Sequence, residues 1–221
     1  MTAHPRIRIK ICCIQNIDEA LLAIRYGASA IGLVSAMPSG PGPIPEDHIA
    51  QIASLIPPGI ATFLLTSRQD AASIIGQQRR LRTNTLQLVD SVPFKELEIL
   101  RSELPGISLV QVIHVREEHS VEEACRVAPF VDALLLDSGN PSLPLKVLGG
   151  TGQTHDWNLS REIVDRSGRP VFLAGGLKAE NVREAIGQVR PYAVDVCSGV
   201  RTNGLLEERK LADFVSAVRN E

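Results

Sequence analysis

Two short apolar runs near the C-terminal end stop at glycine: Val171-Phe172-Leu173-Ala174-Gly175-Gly176-Leu177 and Ala193-Val194-Asp195-Val196-Cys197-Ser198-Gly199-Val200. Each reads as a buried strand that ends where a Cβ is absent, and each is followed by a helical pattern. Two adjacent junctions of this kind bring backbone N–H groups and helix N-termini around one point, which suits a phosphate. In a parallel barrel that point lies after the last two strands, at the C-terminal face where chemistry is done.

The same rule sorts the other reactive side chains. Cys12 ends the first apolar run, Asp137 ends the sixth, and His114 lies near the end of the fifth. Cys12 reads as a thiolate base facing the mouth, its proton loosened by positive neighbours, or as a small buried hydrophobe. Asp137 follows Val131-Asp132-Ala133-Leu134-Leu135-Leu136 and reads as a general acid or as a cap on the loop it opens. Asp195, between Val194 and Val196, reads as a hydrogen-bonding anchor or a substrate contact. Alternation along the first strand turns Cys13 to the opposite face as packing, and Cys125 and Cys197 read as structural. The five histidines show no metal-ligand pairing, so no metal is expected.

The elements that must place these groups alternate along the chain. Asn16 caps a predicted helix over Ile17 to Tyr26 that Gly27 ends. Helices are predicted over 46–56, 70–80, 94–104, 121–128, 156–167, 179–187 and 207–218. Between them lie apolar runs near 7–13, 29–34, 60–65, 85–89, 107–115, 131–136, 170–174 and 193–196. Eight strand–helix units with continuous apolar strands predict one α/β domain, a (β/α)₈ TIM barrel over residues 1–221. A doubly wound sheet would carry GxGxxG after its first strand, and none follows Cys13. Two loops stand out: the Pro/Gly-rich 37–45, and 137–155 with Leu148-Gly149-Gly150-Thr151-Gly152, long enough for a binding loop.

Composition narrows the partners. With 44% hydrophobic residues and 22% charged among 221, the chain affords a full core. A net charge of −2 without clustered Lys or Arg argues against nucleic acid and against a membrane surface. No apolar stretch reaches the roughly 18 residues of a span. No apolar segment follows the basic N-terminus as a secretory signal would require, so a cytoplasmic protein with four free thiols is expected.

Taken in order, several segments resemble the phosphoribosylanthranilate isomerase family of tryptophan biosynthesis. They are Ile9-Lys10-Ile11-Cys12 with Ile14-Gln15-Asn16, Tyr26-Gly27-Ala28-Ser29-Ala30-Ile31-Gly32, Leu134-Leu135-Leu136-Asp137-Ser138, Gly149-Gly150-Thr151-Gly152, Asp156-Trp157, Ala174-Gly175-Gly176-Leu177, Glu180-Asn181-Val182 and Val194 to Val200. The resemblance implies a (β/α)₈ barrel, no cofactor, and an Amadori rearrangement of N-(5-phosphoribosyl)anthranilate from aminoaldose to aminoketose. It assigns the base to Cys12 and the acid to Asp137, and it rests the phosphate on backbone near Gly150, Gly175, Gly176, Ser198 and Gly199. The chain departs from the family at three places. Cys13 stands where Gly is usual. Ser35 to Pro43 lacks the usual Arg for the anthranilate, and Gln87-Leu88-Val89-Asp90 replaces Gln-Leu-His-Gly. Arg201 or His114 is expected to supply the missing cation. A barrel that binds a phosphosugar without turnover, or one that isomerises another phosphorylated aminosugar, stays open beside this reading. A monomer or a homodimer is expected.

Overall fold

The computed structural model describes residues 6–139, 152 and 154–219. Its strands are β1 (Arg8–Ile11), β2 (Ala30–Val34), β3 (Ala61–Thr66), β4 (Thr85–Leu88), β5 (Ser108–His114), β6 (Ala133–Asp137), β7 (Val171–Leu173) and β8 (Ala193–Val196). The helices that follow them are α1 (Ile17–Arg25), α2 (Glu46–Leu55), α3 (Ala71–Leu81), α4 (Phe94–Glu103), α5 (His119–Val127), α6 (Trp157–Ser167), α7 (Val182–Val189) and α8 (Glu208–Arg219). The strands pair in parallel, in chain order, and β8 closes on β1. The expected (β/α)₈ barrel is therefore the fold.

Side-chain parity along each strand divides the core in two. On β6, Leu134 and Leu136 point outward into the layer shared with the helices, while Ala133 and Leu135 fill the barrel. The outer layer gathers Ile11, Ile31, Leu64, Leu88, Leu173 and Val194 against helix residues such as Ala23, Ile49, Leu97 and Phe214. The inner layer is thinner and holds Phe63 and Phe172 edge to face, with ring centroids 5.4 Å apart. Both faces of most strands are thus apolar, the inward Lys10, Thr85, Gln87 and Asp195 of β1, β4 and β8 excepted, which is why the strands read as nearly continuous runs rather than alternating ones.

Local rules set the ends of the elements. The Asn16 side chain accepts from Glu19 N at 2.9 Å and starts α1. Asp70 and Asp156 do the same for α3 and α6, accepting from Ser73 N and Asn158 N. Gly27, at φ 94°, leads the chain off α1. Helix α7 begins at Val182 rather than Ala179, because Asn181 folds the preceding turn: its Oδ1 accepts from Lys178 N and its Nδ2 donates to Gly176 O.

One element was not predicted. Between β8 and α8 the chain makes a small antiparallel hairpin, β9 (Arg201–Thr202) and β10 (Leu205–Leu206). Its two linking residues, Asn203 and Gly204, both take positive φ, at 51° and 82°, as a tight hairpin turn requires.

Candidate active site

The C-terminal mouth of the barrel holds a pocket lined by Cys12, Cys13, Gln87, Asp137, Gly175, Gly176, Asp195, Cys197 and Ser198, with Met37 to Pro41 of the β2–α2 loop along one side. Cys12 from the end of β1 and Asp137 from the end of β6 therefore enter one cavity from separated parts of the wall.

Beneath Cys12 lies a charged pair in which Asp195, read from sequence as an anchor or a substrate contact, meets Lys10, to which that reading gives no role. Lys10 and Asp195 are register partners across the β1–β8 seam, and both point into the barrel. Lys10 Nζ lies 2.9 Å from Asp195 Oδ2, and the lysine is fully buried. Its ammonium also stands 5.1 Å from the centre of the Phe63 ring. Burial pushes the Lys10 ammonium toward neutrality, but the charges of Asp195 and Cys12 outweigh it and hold the proton on. Burial pushes the Asp195 carboxyl up, and Lys10 pulls it part of the way back. The close contact to a retained ammonium makes the pair ionic. Asp195 lines the pocket, and its buried Oδ1 has no hydrogen-bond partner among the described residues. The alternating Lys10-Ile11-Cys12 spacing carried this signal: residues two apart on a strand share a face.

The Cys12 thiol is held below the usual thiol range. The adjacent Cys13 thiol is the largest influence that favours its ionisation. Burial opposes ionisation, and the Lys10 cation favours it again. Gly32 on β2 leaves the room this requires. A Cβ there would come within 2.8 Å of Cys12 Sγ and 3.2 Å of Lys10 Nζ. Asp137 is half-buried, and its Oδ1 accepts from Ser138 N at 2.7 Å.

Cys13 does not turn away from the mouth. Strand β1 ends at Ile11, and Cys13 takes φ 62°, so side-chain alternation no longer governs it. Its sulfur joins Cys12 on the inner side and lies 2.6 Å from Cys197 Sγ. The reading of Cys13 as opposite-face packing is corrected accordingly.

Arg201 and His114 are not where a substrate cation was expected. Arg201 is buried beneath the β1–α1 turn. It grips Glu19 with both terminal nitrogens, at 3.0 and 2.9 Å, and donates to Cys12 O and Cys13 O at 3.2 and 2.6 Å. Glu19 also accepts from Gln15 N and Leu206 N, so its carboxylate ties the turn to the hairpin. Every one of these contacts is internal. Arg201 positions the Cys12–Cys13 backbone and lies outside the pocket lining. His114 pairs with Asp137 in register but makes its imidazole contact with Val89 O, 3.0 Å from Nε2, and also stays out of the pocket. Among the described residues lining the pocket there is no Lys or Arg.

At the glycine corner β8 runs into a 3₁₀ turn and the hairpin rather than straight into a helix. Gly175 and Gly176 take consecutive positive φ, at 79° and 62°. A Cβ on Gly199 would lie 2.0 Å from Leu177 O, so only glycine lets the β8 loop approach the β7 loop so closely. Ser198 and Gly199 open a single 3₁₀ turn beside it. His155, behind this corner, bonds Ser160 Oγ at 2.7 Å, and burial pushes its imidazole below the usual range. Gly150, the fifth expected phosphate residue, lies outside the described residues, as does most of the 137–155 loop.

A closed (β/α)₈ barrel with a thiol and a carboxyl at one mouth, beside a glycine corner, defines a barrel enzyme working by proton transfer. The family described as N-(5'-phosphoribosyl)anthranilate isomerase matches residues 9–217. The isomerase of that name from Methanocella arvoryzae is 37% identical over 213 residues, 96% of this chain and 98% of the relative. Phosphoribosyl anthranilate isomerase from Thermotoga maritima superposes with a TM-score of 0.83 at 30% identity, covering 97% of this chain and 100% of that one. A structure of such an isomerase in complex with reduced 1-(o-carboxyphenylamino)-1-deoxyribulose 5-phosphate superposes at 0.81 with 28% identity and the same coverage. The chain belongs to the N-(5'-phosphoribosyl)anthranilate isomerase family.

Proposed function

We propose that this chain isomerises N-(5'-phosphoribosyl)anthranilate to 1-(o-carboxyphenylamino)-1-deoxyribulose 5-phosphate, with Cys12 as base and Asp137 as acid. The observation that carries the reading is the entry of both side chains into one pocket from separate strand ends, with the glycine corner between β7 and β8 at its edge.

Each group has a place in the chemistry. Asp137 delivers a proton to the ribose ring oxygen as the bond from that oxygen to C1 breaks. The anilinic nitrogen lends its lone pair and becomes an iminium. That charge acidifies the C2–H bond, and Cys12 thiolate takes the proton. The resulting enolamine tautomerises to the ketone. One positioned acid and one positioned base contribute on the order of 10²–10⁴ each to such steps. Lys10 keeps the base ionised without touching substrate. The phosphate rests on the backbone of Gly175, Gly176, Ser198 and Gly199, far enough along the mouth to lay the sugar between acid and base. Asp195 lines the same space and is assigned a sugar contact. Arg201 and His114 are assigned no substrate contact.

Fluorescence turnover with enzymatically generated substrate tests the reading. Cys12→Ser and Asp137→Asn are each expected to lower kcat by about 10²-fold or more while the phosphorylated product analogue still binds. Analogue binding with no turnover in the unaltered chain would favour a phosphosugar-binding barrel instead.

A further inference from the structure

Three of the four cysteines meet at the mouth, although they come from opposite ends of the chain. Cys12 and Cys13 close β1, and Cys197 follows β8, 184 positions after Cys13. The Cys13 and Cys197 sulfurs stand 2.6 Å apart, near the roughly 2.05 Å of a disulfide bond. Cys197 is half-buried and lines the pocket, so a small solute reaches it through the mouth. Cys13 is held in place from two sides. Its left-handed backbone aims it inward, and Arg201 grips its carbonyl. The β2–α2 loop seats on it: a Cβ on Gly42 would come within 2.6 Å of Cys13 Cβ, and Pro41 O lies 3.6 Å from its sulfur. Neither thiol has an assigned part in proton transfer.

We propose that Cys13 and Cys197 form an oxidisable pair, converted to a disulfide by a hydroperoxide, and that the bond turns the isomerase down. The Cys197 thiolate attacks the peroxide, an S–O bond forms, the O–O bond breaks, and the departing oxygen leaves as water or alcohol after taking a proton. The Cys13 sulfur, losing its proton, then attacks the sulfenyl sulfur. The S–S bond forms, the S–O bond breaks, and a water leaves. The two sulfurs have supplied two electrons to the peroxide. Two equivalents of a low-molecular-weight thiol reverse the reaction and depart as their own disulfide.

The link to turnover runs through Cys13. It adjoins the base in the chain, lines the same pocket, and its thiol favours ionisation of Cys12. Oxidation removes the Cys13 hydrogen and ties this neighbour to the β8 loop, so the base loses that support while Lys10 and Asp195 stay unchanged. The disulfide itself rests on the three-thiol geometry alone, whereas its effect on rate rests on Cys12 being the base.

The test is brief treatment with equimolar hydrogen peroxide, alkylation of the remaining thiols, peptide mass mapping, and turnover before and after dithiothreitol. The expected result is a Cys13–Cys197 cross-linked peptide and a fall in turnover of about tenfold, restored by the reductant. Cys197→Ser is expected to hold its own untreated rate through the same treatment, and Cys197→Ala replaces it if the serine variant does not fold. Oxidation confined to Cys12, a Cys12–Cys13 link, or a Cys13–Cys197 link that leaves turnover intact would overturn the proposal. The peptide map decides the pair whatever the rate, and the rate of the untreated chain separately decides the isomerase reading.

Discussion

Replacing Lys10 with Met isolates the electrostatic support of the base. Cys12 Sγ and Lys10 Nζ lie 2.8 and 3.2 Å from the place a Gly32 Cβ would occupy, so they are separated by no more than about 6 Å. Unit charges at that distance, in an interior of effective dielectric about 20, attract by about 3 kcal/mol, or about two pH units. Asp195 repels the thiolate and cancels part of this. The net effect of losing Lys10 is upward and smaller than the full attraction. Thiolate is the working form of the base, so raising its pKa empties that form from the acid side first. The acid limb of kcat/KM for Lys10→Met should therefore move up by about one pH unit. On that limb the rate falls about tenfold, and the alkaline plateau is kept. Without Lys10 the buried Asp195 carboxyl, already pushed up by burial, takes a proton and stops repelling. Lys10→Met/Asp195→Asn should then show the same limb as the single variant. Continuous fluorescence turnover across pH, with circular dichroism to verify folding, makes the measurement. A folded Lys10→Met whose acid limb coincides with the parent would refute the reasoning.

Two other substitutions probe the support around the thiol. Gly32→Ala drives a methyl against Cys12 Sγ, Cys12 Cα and Lys10 Nζ, and is expected to cost about 1–3 kcal/mol in urea melts and to lower kcat more than it raises KM. Arg201→Met leaves the Glu19 carboxylate buried without its cation and frees the Cys12–Cys13 carbonyls. A loss of about 3 kcal/mol is expected, roughly 6–12 °C in Tm. Burial opposes the charge on Glu19, but hydrogen bonds from Arg201 and Leu206 win and hold its carboxyl below the usual range. The parent's extra stability is therefore full above the unfolded carboxylate pKa and fades as pH falls through the lower folded one. The gap between parent and Arg201→Met should close in acid, and a constant gap would exclude the ion pair as its source.

The barrel was legible because each signal was local. Eight apolar runs, Asn16 as a cap and Gly27 as a stop act within a few residues of themselves. The mouth was legible where strand ends alone decide it, as with Cys12 and Asp137. It failed where partners come from far along the chain. Arg201 reads as a cation free for substrate until β9 and β10 fold it back onto Glu19. Cys13 reads as packing while β1 is assumed to continue, and a single φ of 62° reverses it. Lys10 shares a strand face with Cys12, but its ion pair stayed hidden, because its partner sits 185 positions later and meets it only through the closing register.

That late closure dictates when the molecule first becomes competent during synthesis. Asp195 pairs with Lys10, Cys197 meets Cys13, and Arg201 holds the carbonyls of Cys12 and Cys13. A ribosome must therefore finish nearly the whole polypeptide before the opening turn acquires its working shape. Until then Lys10 has no carboxylate across the seam, and the two adjacent thiols have no third beside them. Nascent fragments cut short of β8 are expected to be catalytically silent, however much of the earlier helical layer they have already assembled.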